Sequence, residues 1–315
     1  MEKQGRLKPL VAVVGPTGSG KSDLAIRIAQ QFAGEVINCD SLQVYRHFDI
    51  GTAKLPLDAR HGIPHYLIDI LDPDEVFTAG EFSRRARAVI REISTRNHLP
   101  VVAGGTGFYL RALLHGLFPG PARDEALRER LARRQVRRPG SLHRLLRRFD
   151  PLAAARIHAN DVPKLIRALE VCLVARRPVT ELFREGRDAL TGYRTLKIGL
   201  SPDREALYRR LDARCECMFR TGLVEEVERI LASGYSPQAK PFESHGYKQV
   251  LQMLRGELTP KEALFYAQRN TRRYAKRQMT WFRQEPEIEW VRGFGDDLGV
   301  QSQVMERVRV FHNVN

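Results

Sequence analysis

The chain has 315 residues, 43% of them hydrophobic, which is enough for a full core and argues against wholesale disorder. Lys and Arg number 52 against 37 Asp and Glu, and the formal charge of +15 favours a polyanionic partner, nucleic acid first and an acidic membrane second. No stretch approaches the length of a membrane span, and the four cysteines at positions 39, 172, 215 and 217 lack C-x-x-C spacing, which argues against a zinc site and for free thiols in a reducing, cytoplasmic compartment.

The length predicts about two domains, or one core carrying a large insertion. An apolar run at 10–14 ends at a glycine and predicts a buried strand. Residues 22–32 place Leu24, Ala25, Ile28, Ala29 and Phe32 at helical spacing. Strands are predicted at 35–39, 66–70 and 99–103, with a helix at 82–93. This alternation predicts a parallel sheet covered on both faces, with ligands beyond the carboxyl ends of its strands. Ser22, Asp40 and Thr106 all fall near such ends.

After Pro119 the texture changes. Residues 123–148 hold ten arginines and three acids in a helical pattern, and helix continues over 151–177 with a start signal at Asn160-Asp161. A β-like segment at 193–200 returns the chain to the sheet, and helices follow from Asp203. The expected organisation is a core of residues 1–120 and 191–315 interrupted by a helical domain at 121–190.

Gly15-Pro16-Thr17-Gly18-Ser19-Gly20-Lys21-Ser22 fits G-x-x-x-x-G-K-[ST] between a strand and a helix. Its N–H groups, the helix start and Lys21 suit a di- or triphosphate, and Ser22 suits Mg²⁺. A grip of this kind does not by itself imply hydrolysis. A P-loop hydrolase needs an apolar strand ending in a magnesium-binding Asp, yet the fourth strand ends Gly104-Gly105-Thr106. Asp69 is either a magnesium ligand or, preferably, a strand cap or the partner of an arginine. Asp40 reads equally as a proton acceptor or an Asx turn. Thr106 is either a donor to phosphate or a turn residue. Residues 269–283 carry Arg269, Arg272, Arg273, Lys276, Arg277 and Arg283 and no acid, with Tyr274, Trp281 and Phe282 interleaved. Arg269, Arg273, Lys276 and Arg277 share one helical face, as expected of an RNA contact, although Trp281 and Phe282 also suit a core.

These blocks resemble the tRNA dimethylallyltransferase family. The likeness lies in the glycine loop, DSLQVYRHFDIGTAKL (40–55), GGTGFYLRALLHGL (104–117), HANDVPKLIRALEV (158–171), MFRTGLVEEV (218–227) and YAKRQMTWFR (274–283), in the family's order. The resemblance implies a P-loop-kinase-like α/β core with an inserted helical domain, in which the loop holds dimethylallyl diphosphate and the five-carbon group passes to N6 of adenine 37 of tRNA. It implies that Asp40 is the base, that Thr106 bonds the bridging oxygen or its neighbour, that Arg214 adds charge to the diphosphate, and that Mg²⁺ sits on Ser22. It implies tRNA contacts at Asp40, Ser41, Leu42, Gln43, Thr106 and Arg128, and at Pro163, Lys164, Leu165, Ile166 and Arg167. Further contacts are implied at Glu243, Ser244, His245, Gly246, Tyr247 and Lys248, and at Lys276, Arg277, Gln278, Met279, Thr280, Trp281, Phe282 and Arg283. Ser244 and His245 depart from the small apolar residues usual before the Gly-Tyr, and His245 is either an RNA contact or, preferably, packing. A monomer with no membrane partner is expected. The rival readings are a small-molecule or nucleoside kinase using ATP, a prenylating enzyme for free adenine nucleotides, and a non-catalytic RNA-binding protein.

Overall fold

The computed structural model describes residues 7–313, which pack as two compact units. One comprises the chain up to Leu113 and from Leu190 onward; the other is Leu114–Ala189.

The first unit is built on six parallel strands: β1 (Lys8–Val14), β2 (Gly34–Asn38), β3 (His65–Tyr66), β4 (Leu99–Gly104), β5 (Tyr193–Leu200) and β6 (Ile288–Val291). Their order is β3-β2-β4-β1-β5-β6. Leu10, Val11, Ala12, Val13 and Val14 are consecutive apolar residues because β1 lies inside the sheet and is covered on both faces. Helix α1 (Lys21–Gln31) lays Leu24, Ala25, Ile28 and Ala29 into the core formed by these strands. Helix α2 (Ala79–Thr95) is capped by Thr78, and α3 (Gly107–His115) follows β4. Val14 pairs with Gly104, and Asn38 with Ala103. The chain therefore leaves β1, β2 and β4 at one edge, and the three turns that follow these strands meet there.

The second unit is helical: α4 (Glu125–Arg137), α5 (Ser141–Phe149), α6 (Pro151–Arg156), α7 (Val162–Ala175) and α8 (Val179–Arg184). Leu127, Leu131, Leu142, Leu146, Leu165 and Leu169 form its core. Glu170 is fully buried there, accepting from Arg128, Arg167 and the Asp124 N–H. Burial alone would raise its pKa, but these hydrogen bonds outweigh it and hold the carboxyl below its ordinary range. Helices α9 (Arg204–Arg220), α10 (Leu223–Ala232), α11 (Tyr247–Leu254), α12 (Pro260–Phe282) and α13 (Leu298–Asn313) belong to the first unit. The long α12 starts at a capping box, Thr259 with Glu262, and has Pro260 in its first turn.

The α/β class with a parallel sheet and inserted helices is as expected, but three expectations need correction. The third strand stops at Tyr66 because Leu67 and Asp69 take φ of 61° and 55°, which breaks an extended run. The helix expected over 151–177 is two helices, with Ile157 extended and Asp161 capping α7 through the Lys164 N–H. Strand β6 was not expected at all.

Candidate active site

The glycine loop joins β1 to α1. Gly20 has φ of 78°, and a Cβ there would lie 2.4 Å from Asp296 Oδ1, so only glycine fits. The Lys21 ammonium donates to the Pro16 carbonyl at 2.6 Å. Burial lowers its pKa to about 8, with Asp40 opposing the shift and Arg214 adding to it. Helix α9 brings in Arg214, whose Nη2 donates to Thr17 Oγ1 at 2.8 Å. Its Nε is buried without a partner, a donor left over beside the phosphate loop. Burial pulls the Arg214 pKa down as well. Two buried cations that repel one another suit an anion of high charge.

Asp40 follows β2. Its Oδ1 accepts from the N–H groups of Leu42 at 2.8 Å and Gln43 at 3.4 Å. The Asx turn therefore exists and occupies one carboxylate oxygen, while Oδ2 has no hydrogen-bond partner among the described residues. Thr106 Oγ1 accepts from the Ser41 N–H at 3.1 Å and contacts Ser41 Oγ at 3.4 Å, so this hydroxyl is engaged with the Asp40 turn. Gln43 spends its Nε2 on the carbonyls of Thr52 at 3.1 Å and Ala53 at 3.3 Å. Asp69 pairs with Lys54 at 2.5 Å rather than with an arginine.

Thr17, Lys21, Ser22, Asp40, Gly104 and Arg214 line one cavity. A second cavity shares Thr17, Asp40, Thr52 and Arg214 with the first and continues along Leu42, Met218, Phe219, Leu223 and Ala267. Its wall also carries Thr271, Tyr274 and His245. The Tyr274 ring lies 4.7 Å from that of His245. Burial, then the charge of Asp40, raises the pKa of the Tyr274 phenol. Burial, then Arg277 and Arg214, lowers His245 to about 4, so its imidazole is neutral at neutral pH.

Several implied tRNA contacts lie elsewhere than on a surface. Gln278 is 5% exposed: its Oε1 accepts the Thr17 N–H at 2.8 Å and its Nε2 donates to the Gly105 carbonyl at 2.9 Å. It is a brace between the glycine loop and the turn after β4. A Cβ at Gly105 would come within 2.1 Å of that Nε2, which accounts for the glycine. Phe282 and Leu165 are core residues of their respective units, and Gly246 is buried at the start of α11. Tyr247 is fully buried and bonds Glu226. Trp281 packs edge-on to Phe108 with Arg111 over its ring, so it is a packing residue at the end of α12. Arg128 and Arg167 are tied to Glu170, and Lys164 to Asp161. The side chains of Pro163, Glu243, Lys248, Lys276, Arg277, Thr280 and Arg283 are at least partly open to solvent. Ile166, Met279 and Ser244 are half-buried, and Ser244 Oγ donates to the Pro241 carbonyl.

Two features lay outside the sequence reading. Glu226, buried, accepts from the N–H groups of Asp49 at 3.2 Å, Ile50 at 2.8 Å and Gly51 at 3.4 Å, and from the Tyr247 hydroxyl. It thereby fixes the loop that carries Thr52 into both cavities. Nothing in the Glu225-Glu226 pair signals which carboxylate turns inward. In the helical unit, Arg130, Arg133, Arg134, Arg137 and Arg138 line one groove with no carboxylate among them.

The family described as IPP transferase matches residues 43–285. The tRNA dimethylallyltransferase of Solibacter usitatus is 68% identical over 303 residues, spanning 96% of this chain and 99% of its own. A tRNA isopentenylpyrophosphate transferase from Bacillus halodurans, solved as a crystal structure, shares 37% identity and a TM-score of 0.72 over 97% of this chain and 96% of that one. A eukaryotic dimethylallyltransferase acting on tRNA gives a TM-score of 0.78 at 30% identity, over 96% of this chain and 78% of its own. A match of this extent, from the turn after β2 to the end of α12, with this identity over nearly the whole chain, means that the chain belongs to the IPP transferase family.

Proposed function

We propose that the protein transfers the dimethylallyl group of dimethylallyl diphosphate to N6 of adenine 37 in tRNA, releasing diphosphate. The observation that carries this reading is the junction of the two cavities. Thr17 and Arg214 end the phosphate grip where a hydrocarbon wall begins, and Asp40 lies on both sides of that junction. A phosphate grip that opens onto a carbon-lined pocket suits a substrate whose anionic end leaves and whose apolar end is transferred.

In the reaction, the bond between C1 of the allyl group and the bridging oxygen breaks, and its electron pair goes to diphosphate. Lys21, Arg214 and the loop N–H groups neutralise that charge. The N6 lone pair forms the new bond to C1, and Asp40 Oδ2 accepts the proton from N6. Thr106 holds the Asp40 turn through Ser41. Ser22 is the protein group that would hold Mg²⁺, which supplies further charge neutralisation to the diphosphate when bound. The arginine groove of α4 and the exposed basic residues of α12 would each meet RNA phosphates.

The test combines labelled dimethylallyl diphosphate, Mg²⁺ and an anticodon stem-loop bearing adenine at position 37, with ATP labelled on its terminal phosphate in parallel. Label should enter the RNA, and should be lost with Asp40→Ala and with guanine at position 37. ATP consumption without RNA labelling would overturn the reading in favour of a kinase.

A further inference from the structure

Arg210 stands one helical turn before Arg214 on α9, and both line the phosphate cavity. The charge of Arg210 is felt at Arg214, where it adds to burial in pulling the pKa down. Such repulsion favours a long side chain turned away into solvent, yet Arg210 is held by the loop at 292–297, after β6. Its Nη1 donates to both carboxylate oxygens of Asp296, at 2.8 Å and 3.0 Å, and its guanidinium carbon lies 4.9 Å from the centre of the Phe294 ring. The loop is itself fixed. The Asp297 carboxylate accepts from the Phe294 N–H at 2.9 Å, the Gly295 N–H donates to the Ser19 carbonyl at 2.8 Å, and Phe294 packs against Leu207, Leu211 and Ala275. Burial would raise the pKa of Asp296, but the hydrogen bond from Arg210 outweighs it and holds the carboxyl below its ordinary range.

By charge alone Asp296 is out of place. A carboxylate packed against Gly20, in a loop suited to an anion, works against that anion. It takes only one nitrogen of the guanidinium, however, and among the described residues Nε and Nη2 of Arg210 have no partner. Arginine presents its N–H donors in a rigid fork, so a phosphate can take the free edge while Asp296 holds the other corner. We propose that Arg210 is a third cation of the diphosphate grip and that Asp296 and Phe294 are positioning residues, which aim it from the loop after β6. This rests on the diphosphate grip of the reading above and names further residues of it; the bonds made and broken are unchanged. The sign of the Asp296 effect separates positioning from charge. Loss of an acid beside an anion site tightens binding if the carboxylate acts by its charge, and loosens binding if the carboxylate serves to hold a cation.

The experiment titrates inorganic diphosphate, with Mg²⁺, into the wild type and its variants by calorimetry. A hydrogen bond to a charged group corresponds to a factor of about ten to a hundred, so Arg210→Gln should weaken binding at least about tenfold. Asp296→Ala should weaken it roughly three- to tenfold, and in the Arg210→Gln background should weaken it no further. Phe294→Leu should cost about threefold, and Phe294→Tyr, which keeps the ring, should restore the affinity. The KM for dimethylallyl diphosphate should rise in step, with the KM for the stem-loop unchanged. Unaltered affinity in Arg210→Gln overturns the proposal. So does equal or tighter binding in Asp296→Ala, which would make the carboxylate a bystander or a competitor for the cation. Equal weakening by Asp296→Ala in both backgrounds overturns it as well, because the acid would then act on the glycine loop and not through Arg210. No diphosphate binding by the wild type overturns both the grip and this inference, whereas RNA left unlabelled by a protein that binds diphosphate in the order given overturns the transfer reading alone.

Discussion

Gln278→Leu removes one side chain and two hydrogen bonds at once. The Thr17 N–H loses its acceptor at 2.8 Å and the Gly105 carbonyl its donor at 2.9 Å, in a site where the glutamine is buried. A buried polar group left unmatched costs about 1–3 kcal/mol, so two cost roughly 2–6, reduced to about 2–4 once leucine contributes its apolar surface. At about 2 °C per kcal/mol for a chain of this size, Tm should fall by roughly 4–8 °C. The catalytic effect is separate. Without the brace, the Thr17 N–H is no longer held over the cavity, and the KM for dimethylallyl diphosphate should rise about tenfold, with inhibition by inorganic diphosphate weakening in parallel. Calorimetry and steady-state kinetics on one preparation would decide. A lowered Tm with unchanged KM and unchanged diphosphate inhibition would reduce Gln278 to a core residue. If Tm and KM were both unchanged, the argument from unmatched backbone groups would be refuted.

Four further outcomes are expected. Asp40→Asn should keep the turn and lower kcat by about 10²–10⁴, while binding of inorganic diphosphate, measured by titration calorimetry, is retained. Lys21 is held at about 8 against 10.5, so the unfolded chain binds its proton more tightly, the cost of burying the charge is present in full below about 8, and stability rises with pH between these values. Lys21→Met should remove that rise, worth roughly 3 kcal/mol, which urea denaturation of both proteins from pH 7 to 10 would detect; parallel curves would contradict it. Glu226→Ala leaves the N–H groups of Asp49 and Ile50 and the Tyr247 hydroxyl without their acceptor, while the Gly51 N–H keeps the Tyr247 oxygen at 3.0 Å, and should cost about 3–5 kcal/mol in denaturant unfolding. Replacing Arg130, Arg134 and Arg137 by glutamine should weaken stem-loop binding and flatten its salt dependence, the slope of log K against log salt falling by about one for each phosphate no longer neutralised.

What could be read from the sequence was whatever is local. The glycine loop is one continuous stretch whose spacing fixes its geometry, and the Asp40 turn is closed by its own neighbours at Leu42 and Gln43. The role of Gln278 was hidden because Thr17 and Gln278 stand 261 residues apart, and only the packing of α12 brings them together. The resemblance counts it among the tRNA contacts along with its neighbours from Lys276 to Arg283. The third strand was misjudged for a related reason. Residues 66–70 are apolar except for Asp69 and so suit a strand, but the Lys54 ammonium holds Asp69, which sits in a left-handed turn where the backbone cannot extend. Strand β6 has four residues at the sheet edge and too little periodicity to register. By contrast, Asn160-Asp161 was a visible start signal, and Asp161 does cap α7.

Lys21 and Asp40 give this grip its direction. The carboxylate lies close enough to raise the lysine pKa against the effect of burial, while Arg214 pushes it the other way. Before substrate binds, the ammonium is therefore partly balanced by Asp40 and partly repelled by Arg214. A diphosphate entering the loop gives both cations a nearer anion and leaves the Asp40 carboxylate less strongly engaged. In the proposed reaction the two charges then serve opposite ends of one event, the cations at the departing oxygen and the carboxylate at the amine that loses its proton. A phosphoryl-transfer enzyme places its catalytic charge around the phosphorus being transferred. Here the carboxylate lines both cavities, at the point where the grip gives way to a hydrocarbon wall, which is where the reacting carbon would lie. Asp40→Asn and Lys21→Met should accordingly fail in different ways, the first in kcat with diphosphate still bound and the second in diphosphate binding itself. Equal loss of both properties in both variants would mean that the two groups act as one binding site rather than at opposite ends of the bond being broken.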